Sequence, residues 1–260
     1  WGMARAQWDP GVYLSFQDHR LRPAIELMAR IPAIPVRSLV DLGCGPGNVT
    51  DALLGRWPQA TYVGIDTSVE MLDRARDAHP SLDWRLDDAA TWAPSTPPDL
   101  IFSNATLHWL DDHETLYPRL LSCLGPGGVL AVQVPDNFSQ PTHTCISQAV
   151  AAGDWSVDLA SLVRPRPVHE ARWYHRLLDA QCASLDVWTT THLQRLTGHD
   201  PVVSWVSGSA LRPFLTALPP AEAEQFVDVY RELASGHYPP GPDGEVLLPF
   251  TRLFLVAQRR

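Results

Sequence analysis

Four cysteines (Cys44, Cys123, Cys145, Cys182) are scattered through 260 residues, and no Cys-x-x-Cys pair occurs. That excludes a zinc ribbon, a dithiol redox site and a disulfide framework; no metal is expected, and a reducing, cytoplasmic compartment is. No apolar run approaches the ~20 residues that cross a bilayer, so no membrane partner is expected. A basic start followed by an apolar run, the layout of a signal peptide, is also missing. There is no Lys/Arg-rich run, and the formal net charge is −9. A nucleic-acid partner, which would need phosphate-neutralising cations, is thereby excluded. A small anionic acid as substrate stays open, because a few buried arginines set the sign of a pocket locally. Repeats and low-complexity tracts are absent, and the oligomeric state is not readable.

What is present is β-α alternation. Arg37–Leu42, Thr61–Asp66, Leu82–Leu86, Asp99–Ser103 and Gly128–Val134 read as strands rich in Val, Ile, Leu and aromatics. Thr67-x-x-Glu70 reads as a capping box that opens a helix carrying Met71, Leu72 and Ala75. A second helix, roughly His113–Leu124, places Leu116, Leu120, Leu121 and Leu124 on one face and stops at Gly125-Pro126-Gly127-Gly128. Such alternation predicts an α/β fold with a parallel sheet between helical layers. Ala183–Thr190 and Leu248–Gln258 read as two late strands, and Ala223, Phe226, Val227, Tyr230 and Leu233 mark an amphipathic helix between them. One domain over residues 1–260 is expected, with insertions at about 138–172 and 192–245 capping the ligand edge.

The stretch Leu39–Asn48, LVDLGCGPGN, predicts a strand, a glycine turn and a helix start. A dinucleotide fingerprint would read Gly-x-Gly-x-x-Gly; here Gly43, Gly45 and Gly47 alternate and Asn48 stands where the third glycine would be. Asp41, just before the turn, would repel a pyrophosphate but suits the ammonium and sulfonium of S-adenosylmethionine (SAM). Asp66, ending the second strand, can accept hydrogen bonds from both ribose hydroxyls, a role shared with NAD sites. Thr67 follows it, and Met71 would pack on the adenine. Asp88 and Ala89 follow the third strand and suit the adenine amino group. Asn104 and Ala105, in SNATLHWL after the fourth, would flank the methionine part. Each is individually unremarkable; their joint order, each just past a strand's C-terminal end, favours SAM.

Longer stretches resemble the trans-aconitate 2-methyltransferase family. WDPGVYLSFQDHRLRPA (Trp8–Ala24) is similar to its N-terminal segment. VDLGCGPGN, GIDTSVEML and NATLHWL resemble its cofactor motifs, and GPGGVLAVQVPDN (Gly125–Asn137) its fifth-strand region. GSALRPFL (Gly208–Leu215) and LPFTRLFLVA (Leu248–Ala257) resemble its C-terminal signatures, which are more specific than the glycine turn. The resemblance implies a class I methyltransferase, Rossmann-like, with a seven-stranded sheet and helical cap insertions. It also implies SAM-dependent methyl esterification of a small acid, trans-aconitate or a relative, with S-adenosylhomocysteine as the other product. By the same resemblance Arg22 reaches the methionyl carboxylate or the substrate. Arg212 and Arg252 face the acceptor, and Tyr13, His108 and Trp109 line its pocket, the last two as the catalytic pair.

One stretch departs from the family. Where relatives tend to read Trp-Arg-Thr-Thr-Tyr and shortly His, this chain reads WTTTHLQRL, with Thr189, His192 and Gln194 at the altered places. If Thr189 borders the acceptor, a carboxylate partner is lost; if it lies on an outer face, the change means little. Two other functions remain open from sequence. One is methyl transfer to a hydroxyl or amine with His108 or His143 as base; the other is SAM binding without transfer.

Overall fold

The computed structural model describes residues 21–163 and 166–260. The first helix, α1 (Arg22–Arg30), precedes a regular alternation: β1 (Ser38–Leu42), α2 (Thr50–Arg56), β2 (Thr61–Asp66), α3 (Val69–Ala78), β3 (Asp83–Leu86) and β4 (Leu100–Asn104). A 3₁₀ turn (Leu107–Trp109) leads to α4 (His113–Ser122) and β5 (Val129–Pro135). The seven strands lie in the order β3-β2-β1-β4-β5-β7-β6. Here β6 is Cys182–Leu196 and β7 is Val246–Arg259. β1 to β5 are parallel, and β7 inserts antiparallel between β5 and β6. This is the class I, Rossmann-like sheet.

Alternating side chains of the central strands feed two cores, as a parallel sheet covered on both faces requires. Val40, Ile101, Leu130 and Val132 pack with Leu116 and Leu120 of α4 and with Tyr174 and Leu178 of α6 (Ala171–Leu178). Leu39, Phe102, Val129 and Ala131 pack with Ala24, Leu27 and Met28 of α1. A third cluster lies in the inserted segments. Cys145, Ile146 and Ala149 of α5 (Pro141–Ala152) meet Val206 of α7 (Pro201–Ser207), Phe214 of α8 (Arg212–Ala217) and Phe226 and Tyr230 of α9 (Pro220–Ser235). The Tyr230 hydroxyl, donating to the Thr142 carbonyl at 3.2 Å, ties α9 to α5.

Beyond shifts of one or two residues at strand and helix ends, two features differ from the sequence reading. The cap of α3 is Ser68 rather than Thr67: its hydroxyl accepts from the Met71 amide at 3.3 Å. β6 continues past Thr190 to Leu196, because every residue from Ser184 on finds a partner on the long β7; strand therefore occupies His192–Leu196, where an insertion was expected to begin.

Candidate active site

β1 runs into the glycine turn, whose Gly43 and Cys44 amides both donate to the Ile65 carbonyl, at 2.7 and 2.9 Å. Gly43 is irreplaceable on two counts. Its φ is +79°, and a Cβ there would fall 2.1 Å from the Thr106 methyl. Gly45 also has a positive φ, +54°, but a Cβ on it would meet nothing within 4 Å. It faces a cavity of about 590 Å³ at the C-terminal ends of β1 to β4.

That edge brings together most of the expected cofactor residues. Asp41, Gly43, Gly45, Asn48, Asp66, Thr67 and Met71 line the cavity from the β1 and β2 ends. Asp88, Ala89, Asn104, Ala105 and Trp109 line it from the β3 and β4 ends. Asp66 braces the turn it serves: Oδ2 accepts from the Gly45 amide and Oδ1 from the Ser68 amide, each at 2.9 Å. Each oxygen keeps a lone pair for a further donor. Asp41 is buried and accepts from the Tyr62 hydroxyl at 3.0 Å. Burial pushes its carboxyl up to about 7; the Tyr62 hydrogen bond opposes the rise and the Asp66 charge adds to it. Asn104 Oδ1 is buried with no hydrogen-bond partner among the described residues. Ala105 holds a left-handed φ of +56°, strain that marks the loop after β4.

Four carboxylates (Asp41, Asp66, Asp87, Asp88) and one basic side chain, Arg252, line this cavity among the described residues. Such a wall disfavours a pyrophosphate and fits a nucleoside with a cationic tail. The open space over Gly45 and the unpartnered Asn104 oxygen fit the same ligand.

A second cavity, about 240 Å³, shares Trp109 with the first. His108 and Trp109 from the 3₁₀ turn, Phe138 and His143 from the first insertion, Trp205 from the second and Phe250 from β7 border it. Burial drives the His143 imidazole down to about 4, so it is neutral at pH 7. Arg166 also borders this cavity but is engaged, with Nη2 donating to both Asp136 oxygens at 2.7 and 3.0 Å.

Arg252 is different. It is buried, and its Nε has no hydrogen-bond partner among the described residues. Its guanidinium lies 4.5 Å from the centre of the Phe250 ring, which belongs to the second cavity, while Arg252 itself borders the first. Burial pushes its pKa down to about 10, partly offset by the Glu26 charge, so it stays cationic at neutral pH.

Several expected residues fall elsewhere. Arg22 is exposed and pairs with Glu26 at 3.3 Å, away from both cavities. Arg212 begins α8 on the exposed surface and borders neither. Gly47 backs onto Trp84 and Thr50 rather than the cavity. Tyr13 and Trp8 lie outside the described residues. Thr189 is exposed and pairs with Leu253, one residue out of phase with Arg252, so it points to the opposite face of the sheet. His192 is on the Arg252 face but occupied: Nε2 lies 3.0 and 3.1 Å from the two Glu26 oxygens. The sequence reading missed Phe138 and Phe250 as cavity walls. Phe138 was findable, since it lies just past the end of β5 as Ala105 lies just past the end of β4.

Comparison with known proteins places the chain among methyltransferases. A methyltransferase-domain family model matches residues 13–200. The chain is 46% identical to a trans-aconitate 2-methyltransferase of Methylobacterium radiotolerans over 257 residues, covering 98% of this chain and 99% of the relative. A protein of the same name from Azoarcus sp. is 45% identical, covering 97% and 99%. One from Escherichia coli is 40% identical, covering 98% and 99%. Among solved structures, the YcgJ protein of Bacillus subtilis superposes with a TM-score of 0.58 at 14% identity, covering 93% of this chain and 98% of that one. The plantazolicin methyltransferase BpumL, solved with S-adenosylhomocysteine and a desmethylPZN analog, gives 0.51 at 14% identity, covering 96% and 90%. At such identities these two show the fold.

Proposed function

Because the chain belongs to the trans-aconitate 2-methyltransferase family of SAM-dependent enzymes, we propose that it methylates a carboxylate of trans-aconitate, forming a monomethyl ester. The observation that carries the choice of a carboxylate acceptor is Arg252: a buried cation, unpaired among the described residues, where the cofactor cavity meets the second one.

When bound, SAM supplies an electrophilic methyl group, taken by a carboxylate oxygen as the carbon–sulfur bond breaks. Asp41 would hold the ammonium end of the cofactor, Asp66 the ribose hydroxyls, and Met71 and Asp88 the adenine. Arg252 binds an acceptor carboxylate by charge-assisted hydrogen bonds. A carboxylate is already ionised at pH 7, so no base is required. His108 and Trp109 wall the acceptor and hold it in line rather than move a proton. The two insertions pack on each other and border the acceptor cavity as a cap of one domain. A cytoplasmic setting suits the four unpaired cysteines.

The test is a screen of organic acids with methyl-labelled SAM, followed by base treatment of the product. An ester releases labelled methanol, whereas an ether or amine keeps its label. Base-stable label would transfer the assignment to a hydroxyl or amine acceptor with His108 or His143 as base. Absence of transfer to any acid would leave a SAM-binding protein.

A further inference from the structure

The turn that carries His108 and Trp109 is held from behind by a buried hydrogen-bond chain. His113 Nε2 lies 2.9 Å from the Leu107 carbonyl, and Nδ1 lies 2.6 Å from the Tyr174 hydroxyl. A carbonyl only accepts, so Nε2 carries the proton, and in a neutral ring Nδ1 must accept from Tyr174. The Tyr174 oxygen in turn accepts from the His169 amide at 3.3 Å. Every bond points the same way, from His169 through Tyr174 and His113 to Leu107, an arrangement in which each strengthens the next. Burial lowers the His113 pKa and so favours the neutral ring that this chain needs. Tyr117 packs its ring 5.1 Å from His113 and 4.8 Å from Tyr174, filling the space around them.

The held segment is short and strained at both ends. Ala105 and Asp112, neither of them glycine, sit at φ of +56° and +52° on either side of the three-residue turn. Strained backbone persists only where its surroundings over-determine it. Between these two points the Thr106 hydroxyl donates to the Gly43 carbonyl at 3.1 Å and Leu107 is held by His113, and the next two side chains border the acceptor cavity.

We propose that His113, oriented by Tyr174, is a positioning residue for methyl transfer: it fixes the Leu107–Trp109 turn so that His108 and Trp109 keep the acceptor in line. The role of the turn in transfer rests on the function proposed above; the clamp itself does not. In the full chain, His113→Leu should speed amide hydrogen exchange across residues 105–112. It should also lower kcat for trans-aconitate by about tenfold, in the range that small misplacements cost. The SAM dissociation constant should change less than kcat, because Asp41, Asp66, Met71 and Asp88 lie on other loops, while Ala105, Thr106, Trp109 and Leu110 border the cofactor cavity from this segment. His113→Gln, whose amide donates to Leu107 and accepts from Tyr174, should restore both readouts. Tyr174→Phe, which deletes one hydroxyl, should give a smaller shift in the same direction, and serves if His113→Leu does not fold. Unchanged exchange in a folded variant overturns the clamp. Faster exchange with unchanged kcat overturns the positioning role. A wild type that methylates no acid removes the proposed function while exchange still reads the clamp.

Discussion

Tyr62 gives its hydroxyl hydrogen to Asp41 at 3.0 Å, and the Thr50 hydroxyl lies 3.1 Å from the same Tyr62 oxygen. This pair buries a carboxylate with no cation paired to it among the described residues. The Asp41 pKa therefore rises from 3.8 to about 7, and at pH 6 the ligand-free protein holds a proton there. A cation placed against Asp41 favours the ionised form, so SAM binding at pH 6 should release about one proton. Calorimetry in two buffers of different ionisation heat reads this directly, and Asp41→Asn should abolish the difference. The stability consequence has the opposite sign to that of a salt-bridged carboxylate. Between 3.8 and about 7 the folded chain binds more protons than the unfolded one, so the ligand-free protein loses stability as pH rises through that window. Equal slopes in wild type and Asp41→Asn would remove Asp41 as the source.

Asp66 serves the ligand and the turn together, since its two oxygens already hold the Gly45 and Ser68 amides. Asp66→Asn replaces one acceptor by a donor and removes the charge. SAM affinity should fall by about 1.5–3 kcal/mol, roughly tenfold to a hundredfold, as for other charged hydrogen bonds. NAD should not bind either form. A folded variant with an unchanged SAM dissociation constant would take Asp66 out of the contact set.

His143 contributes on the acid side. Its imidazole, buried by the cap, titrates near 4 instead of 6.5. As pH falls from 6.5 towards 4, the unfolded chain takes up a proton that the folded one refuses, and stability is lost across that window. His143→Phe should flatten this acid limb in denaturant titrations. An acid limb as steep as that of the wild type would assign the slope to other groups.

The cofactor edge was legible because it follows from topology alone. In a parallel sheet the ligand sits beyond the C-terminal strand ends, so Asp41, Asp66, Asp88 and Asn104 could be placed by locating strands. The acceptor side was not legible in the same way. It depends on β6 and β7, where one residue of register turns a side chain to the other face, and that register is set only by pairing. Hence the sequence left Thr189 open between the acceptor and an outer face, whereas it pairs with Leu253 and is exposed. Arg22 and Arg212 border neither cavity for another reason: a long charged side chain on a helix finds solvent or a neighbouring carboxylate as readily as a pocket. The His113–Tyr174 contact joins residues 61 positions apart and carries no local signal at all.

That geometry makes Thr189→Arg an informative substitution with a null outcome. The new guanidinium would sit in solvent on the face away from Arg252, so the kcat/KM ratio of trans-aconitate to a monocarboxylic acid should stay within about twofold, as surface charges contribute little. A selective gain for trans-aconitate of tenfold or more would place residue 189 at the acceptor after all.

Arg252 supports the sharpest contrast, because function and stability should move in opposite directions when it is replaced. A buried guanidinium with no ion-pair partner among the described residues is costly to fold around, as its lowered pKa of about 10 reflects. Its removal strands no carboxylate, since Glu26 keeps both His192 and Arg22. Arg252→Met, similar in length and able to pack on Phe250, should therefore leave the ligand-free melting temperature unchanged or raise it. The same change removes the cation proposed for the acceptor. kcat/KM for trans-aconitate should fall by roughly tenfold to a hundredfold, the equivalent of about 1.5–3 kcal/mol for a charged hydrogen bond. SAM affinity should change much less than this if the carboxylate held by Arg252 is the acceptor's. Arg252→Lys should fall between, because a point charge replaces the planar fork that grips a carboxylate at two oxygens. Steady-state kinetics, SAM titration and thermal melts on the three proteins separate the outcomes. A loss of SAM affinity equal to the loss in kcat/KM would reassign Arg252 to the methionyl carboxylate. A melting temperature that drops sharply with Arg252→Met would mark it as a structural cation.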